Sequence, residues 1–104
     1  MSPLFRIKHC CLTGRVVFTE KADGERLADG LDREHVIEAI VNAPAIYKTL
    51  RSTSIRAGRS HEKLYVIVGV THDAILVYTK GALRRFAGED YFYLLVSAKR
   101  SVED

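Results

Sequence analysis

The sequence predicts an α+β domain, N-terminal helices packed on a C-terminal antiparallel β-meander, and three observations carry that expectation. Apolar residues recur at helical spacing as far as Asn42. From Ile46 onward they fall into short runs rich in Val, Ile, Leu and Tyr, the residues that suit a pleated surface. Pro44 stands at the change of period, where a helix cannot continue. With 104 residues the chain is long enough for one hydrophobic core and too short for two, so residues 1–104 are read as a single domain.

Leu4, Ile7 and Cys11 share one helical face, and Gly14 is placed to end that first helix. Val16-Val17-Phe18 reads as a short edge strand or an extended segment against the core. Thr19 offers an N-cap oxygen to a helix running through Leu27, with Glu20 and Glu25 near its positive start and Gly30 to stop it. The next helix is the plainest: Asp32 caps it, Val36, Ile37, Ile40 and Val41 form its apolar stripe, and Asn42-Ala43-Pro44 ends it. A strand is expected over Ile46 to Leu50, followed by a loop from Arg51 to Ser60. Strands are expected over Lys63 to Val70, Ala74 to Thr79 and Tyr91 to Ala98. Thr71-His72-Asp73 is short enough for a hairpin turn, and Gly81 to Asp90 reads as a longer charged connection.

Composition excludes several classes. Hydrophobic residues make up 47% and charged residues 28%, which separates the chain from the disordered class. No apolar run approaches the roughly 18 residues of a membrane-spanning helix, so no membrane partner is expected. Arg6 and Lys8 interrupt the N-terminal apolar stretch, which argues against a secretory signal and for a cytoplasmic protein whose Cys10 and Cys11 are reduced thiols. His9, His35, His61 and His72 are scattered without a CxxC or HxxxH partner, so neither metal nor cofactor is expected.

Charge divides the chain. Residues 1–43 hold six Lys/Arg against seven Asp/Glu, whereas residues 44–104 hold ten against six. The sheet half therefore carries the whole positive excess, a pattern that suits a polyanion. Arg51, Arg56 and Arg59 lie in a Ser/Gly-containing segment with Lys63 just beyond, where several cationic heads could converge on one phosphate. Lys80, Lys99 and Arg100 stand at strand ends, where they extend that patch or discourage edge pairing. Arg84 and Arg85 are candidates to grip backbone phosphate, and the alternative is a solvated turn. His61 is the candidate general base or acid, because histidine is the side chain whose ordinary range brackets neutral pH. Tyr65, Tyr78, Tyr91 and Tyr93 either stack bases or pack the sheet.

Asp29-Gly30-Leu31-Asp32-Arg33-Glu34-His35-Val36-Ile37-Glu38-Ala39-Ile40, Val77-Tyr78-Thr79-Lys80-Gly81 and Leu95-Val96-Ser97-Ala98-Lys99-Arg100 together resemble a bacterial domain family related to the RelE/BrnT-like ribonuclease toxins of type II toxin-antitoxin systems. In that group a His-Ala-x-x-Arg-Met helix precedes a turn and a second helix, and a strand meander ends in a Ser-Ala-Arg/Lys-Arg-like tail. The resemblance spans about residues 19–101, with Arg26-Leu27 standing for the Arg-Met pair and Ala22-Asp23 where the histidine and alanine would be. It implies a RelE-like fold and a metal-independent endoribonuclease, or a descendant that kept the fold and lost the cleavage. Under that reading His61, Arg51 and Lys80 would serve catalysis, and Arg56, Arg59, Lys63, Arg84, Arg85, Lys99 and Arg100 would hold RNA. The partners it implies are RNA and an acidic antitoxin. Two further readings stay open: a noncatalytic module binding RNA or an acidic partner protein, and a protein that self-associates as a homodimer through an exposed face or edge of the sheet.

Overall fold

The computed structural model describes residues 1–52, 62–86, 88 and 90–102. Three helices precede most of the sheet. They are α1 (Pro3–Leu12), α2 (Glu20–Ala28) and α3 (Arg33–Asn42), and β1 (Val16–Phe18) lies between the first two. Four strands follow: β2 (Lys48–Arg51), β3 (Lys63–Val70), β4 (Leu76–Phe86) and β5 (Asp90–Arg100). The α+β expectation holds.

Local chemistry explains the helix limits. Ser2 accepts a hydrogen bond from the Phe5 N–H at the start of α1, and Pro3 occupies the first turn, where a missing N–H costs nothing. Thr19 accepts from the Ala22 N–H at the start of α2. That helix ends in a Schellman motif: the Gly30 N–H donates to the Leu27 carbonyl and the Leu31 N–H to that of Arg26, with Gly30 at a φ of 71°. The same turn buries Leu31 and brings the chain straight into α3, where the Asp32 N–H donates to His35 Nδ1.

The strand order is β1-β5-β4-β3-β2, and β2 through β5 form the expected antiparallel meander. β1 joins its far edge in parallel with β5, Val17 opposite Leu94, so the sheet is mixed rather than purely antiparallel. Gly81 to Phe86 continues β4 and does not form the expected connection to Asp90; the two longest strands pair down to Phe86 opposite Asp90. Their charged stretch misled because the two arginines point to opposite faces and each is satisfied there, Arg84 by Glu62 and Arg85 by the Tyr91 hydroxyl and the Gly88 carbonyl. β4 also begins later than expected, because Ala74 sits in the left-handed region with a φ of 65° and closes the hairpin turn from Thr71 to Ile75. β2 starts at Lys48 rather than Ile46, and β5 runs beyond both expected ends.

All three helices pack against the sheet, α3 over β3 and β4, α1 over β5 and against α3, and α2 against β5 and β1. Ile7, Val36, Ala39 and Ile40 meet Tyr65, Ile67, Val77, Tyr93, Leu95 and Ala98 in one core. Gly69 allows α3 to approach, since a Cβ there would stand 1.8 Å from the Ala39 carbonyl oxygen. Gly81, at a bulge in β4–β5 pairing, leaves room for the Tyr93 ring.

β1 covers only part of the β5 edge, and α2 covers more of it. The Glu25 carboxylate accepts hydrogen bonds from the Ser97 hydroxyl and the Ala98 N–H, and Asp29 accepts from the Arg100 N–H. Two carboxylates thus replace the carbonyls of a missing strand.

Candidate nucleic-acid interface

Alternation sorts the sheet residues into two faces. Tyr65, Ile67 and Gly69 of β3 point at the helices, so Leu64, Val66, Val68 and Val70 point away. Register carries the same assignment across the sheet: Lys48 and Leu50 of β2, Leu76, Tyr78, Lys80, Ala82 and Arg84 of β4, Leu94 and Lys99 of β5, and Val17 of β1 share the face on which none of the described helices packs. Its centre is apolar and closely packed. Val66 and Ala82 are 0% and 1% exposed although neither belongs to the helix-side core.

The cations stand on this apolar floor. Lys48 and Lys80 flank Val66 on neighbouring strands. At the strand spacing of about 4.8 Å, their Cα atoms are roughly 10 Å apart. Lys99 lies opposite Tyr78, with its ammonium 5.5 Å from the ring centroid. Among the described residues, no carboxylate forms an ion pair with Lys48, Lys80 or Lys99. Glu62 is the acid on this face whose side chain is described, and Arg84 holds it, with Nε and Nη2 each 3.1 Å from a carboxylate oxygen.

The other expected site residues scatter. Arg51 and Lys63 are exposed cross-strand partners on the opposite face from Lys80, at the β2 side of the sheet. Arg85 donates to the Tyr91 hydroxyl and the Gly88 carbonyl on the helix side. Arg100 is fastened to Asp29 through its backbone N–H and its Nε, which gives it a structural task. Arg84 likewise spends its planar fork on Glu62, a bond within the fold. Arg56, Arg59 and His61 lie outside the described residues. Lys80 and Lys99 are therefore the expected cations that the fold brings together, and Lys48 joins them unforeseen. Its signal was available: with Leu50 it alternates on β2, and the alternation puts it in line with Lys80 once the hairpin register is known.

The tyrosines divide between the two roles. Tyr93 is fully buried, its hydroxyl donating to the Tyr65 carbonyl at 3.4 Å, and burial drives its phenol far above the usual value. Tyr65 is nearly as enclosed, so both pack the core. Tyr78 lies on the open face, and Tyr91 sits where α1 meets the β4–β5 hairpin. Cys10 and Cys11 are buried free thiols, and burial pushes Cys11 up to about 12, far from a reactive thiolate. Among the described residues, no group of three or more His, Cys, Asp or Glu side chains is arranged to hold a metal ion, and no helix is long and apolar enough to cross a membrane.

Comparison with protein-family models, with curated proteins and with solved structures finds no match to this chain.

Proposed function

We propose that the protein is a RelE/BrnT-like RNA-acting protein that holds single-stranded RNA on its helix-free sheet face. The carrying observation is the group Lys48, Lys80 and Lys99 around Val66 and Tyr78, cations that form no ion pair among the described residues, Glu25 being only a more distant electrostatic neighbour of Lys99. Lysines supply point charges to successive phosphates while the partly exposed Tyr78 ring offers a surface on which a base can stack, the combination that single-strand binders use. Two helices joined by a tight turn and followed by a strand meander also agree with the layout that the family resemblance implies.

Binding has more support than cleavage. Transesterification at a ribose 2′-hydroxyl requires a base, a cationic phosphate clamp and an acid within reach of one bond. The described face offers the cations, whereas its described carboxylate, Glu62, is engaged with Arg84. The described histidines lie elsewhere: His9 in α1, His35 in α3 and His72 in the β3–β4 turn.

The test is incubation of the purified protein with unstructured RNA in EDTA, with binding and strand integrity followed together. Saturable binding that weakens with salt, and that is lost when Lys48, Lys80 and Lys99 are changed to Ala together, is the expected result. Equal RNA affinity in the triple variant would sink the proposed face. RNA cut by the wild type in EDTA would instead favour the endoribonuclease reading, in which His61 is the residue to replace first.

A further inference from the structure

A second cationic feature lies on the opposite side of the sheet, where α1 crosses the β4–β5 hairpin. The Arg6 guanidinium of α1 stands 4.2 Å from the Tyr91 ring centroid. From β4, Arg85 lies opposite Tyr91 in register, 5.0 Å from the same centroid, and donates from Nε to the phenol oxygen at 3.2 Å. Its Nη1 donates to the Gly88 carbonyl at 3.0 Å, which fixes the plane of the fork. Two guanidinium groups therefore bracket one phenol, closer together than the Debye length of about 10 Å at 0.1 M salt.

Neither arginine ion-pairs with a carboxylate among the described residues, and Arg6 makes no side-chain hydrogen bond there. The contrast within the molecule is informative. Arg26 and Arg33 share Asp23, and Arg84 is matched by Glu62. An anion bound between Arg6 and Arg85 would relieve the repulsion that the Tyr91 ring only partly offsets, and N–H donors of both arginines remain to receive one. The phenol adds an O–H donor at the same place, and the Arg85 hydrogen bond, aided by Arg6, holds Tyr91 below the usual phenol value, so its proton is readily shared with an acceptor.

The geometry points to a phosphate-binding site formed by Arg6, Arg85 and Tyr91, separate from the lysine face. Planar guanidinium forks suit a tetrahedral oxyanion carrying several acceptors, and a half-buried ring holds Arg6 in place before binding. This site does not depend on the RNA reading, because inorganic phosphate carries the chemistry it recognises.

The experiment is an NMR titration of the full chain with inorganic phosphate against chloride at matched ionic strength, following the arginine Nε–Hε signals and the Tyr91 ring. Saturable shifts at Arg6, Arg85 and Tyr91 are expected, together with a rise in the Tyr91 phenol pKa as the bound anion offsets its cationic neighbours. Arg6→Gln and Arg85→Gln should each weaken phosphate at least tenfold, and Arg85→Lys, which keeps charge but not the fork, by less; the lysine variant serves if Arg85→Gln unfolds. Linear, unsaturable shifts, or wild-type affinity in Arg6→Gln, would overturn the site. A short oligoribonucleotide with a 5′-phosphate, compared with its 5′-hydroxyl form, identifies the source. Tighter binding of the phosphorylated form assigns a terminal phosphate, equal saturable binding a backbone phosphodiester, and response to inorganic phosphate alone a free anion.

Discussion

Gly69 is the position at which one added carbon does most damage. Its hypothetical Cβ meets the carbonyl oxygen, carbonyl carbon and Cα of Ala39, all backbone, so α3 would have to lift from the sheet. Gly69→Ala should cost about 3 kcal/mol, near the top of the range for overpacked cores, and a lower urea midpoint at unchanged slope would show it. Ala74 poses the opposite case. It bears a Cβ at a φ of 65°, and Ala74→Gly should raise stability by about 1 kcal/mol in the same assay. Neither residue announces itself in the sequence. Gly69 interrupts a run of β-branched residues and reads as a weak strand position, and Ala74 reads as the first residue of a strand. Their importance comes from contacts and turn geometry that span the chain.

At the scale of elements, α2 does two jobs, and its polar face performs the less obvious one. Burial alone would push the Glu25 carboxyl upward, but the Ser97 hydroxyl and the Ala98 N–H outweigh it, with help from Lys21 and Lys99, and hold Glu25 below the usual carboxylate range. A carboxylate depressed in the folded state contributes stability above its ordinary value of 4.5, and that contribution is lost as pH falls through the folded value. Chemical denaturation at pH 7 and at successively lower pH should therefore show Glu25→Gln destabilised at neutrality, with the gap to wild type closing in acid. An equal gap at every pH would leave the edge contact without an ionic component. The helices themselves were legible because Thr19, Gly30 and Asp32 mark their ends by local chemistry alone. β1 was legible as a strand but not as a parallel neighbour of β5, since its three residues carry no trace of a partner 77 positions away in register. The second half of β4 was read as a connection because Arg84 and Arg85 look like loop residues until Glu62 and Tyr91 are seen beside them.

For the molecule as a whole, the positive excess of the sheet half was visible from residue counts, but its division between faces was not. Lys48, Lys80 and Lys99 gather on the open side, whereas Arg51 and Lys63 share the other side, as does Arg85. Only strand register decides this, and a shift of one residue would exchange the two sets. If the lysine face holds RNA through three phosphates, the logarithm of affinity should fall with the logarithm of salt at a slope of about −2 from those contacts. The Lys48→Ala, Lys80→Ala, Lys99→Ala triple variant should lose that much slope in a fluorescence-anisotropy titration, while Arg85→Gln should leave the slope of this face unchanged.

The position of β5 between β1 and β4 bears on how the chain acquires its shape. Synthesis delivers β1 early and β5, which lies between β1 and β4, after both of them, so a nascent chain holding residues 1–89 has both flanking strands and an empty slot between them. Until the final strand emerges, Ala22, Leu31 and Val77 lack the Tyr93, Leu95 and Ala98 side chains of their common core. Folding of this domain on the ribosome must accordingly be late and all at once rather than progressive, and the unfilled slot is the interval in which a chaperone or a strand from another molecule would find the most to bind.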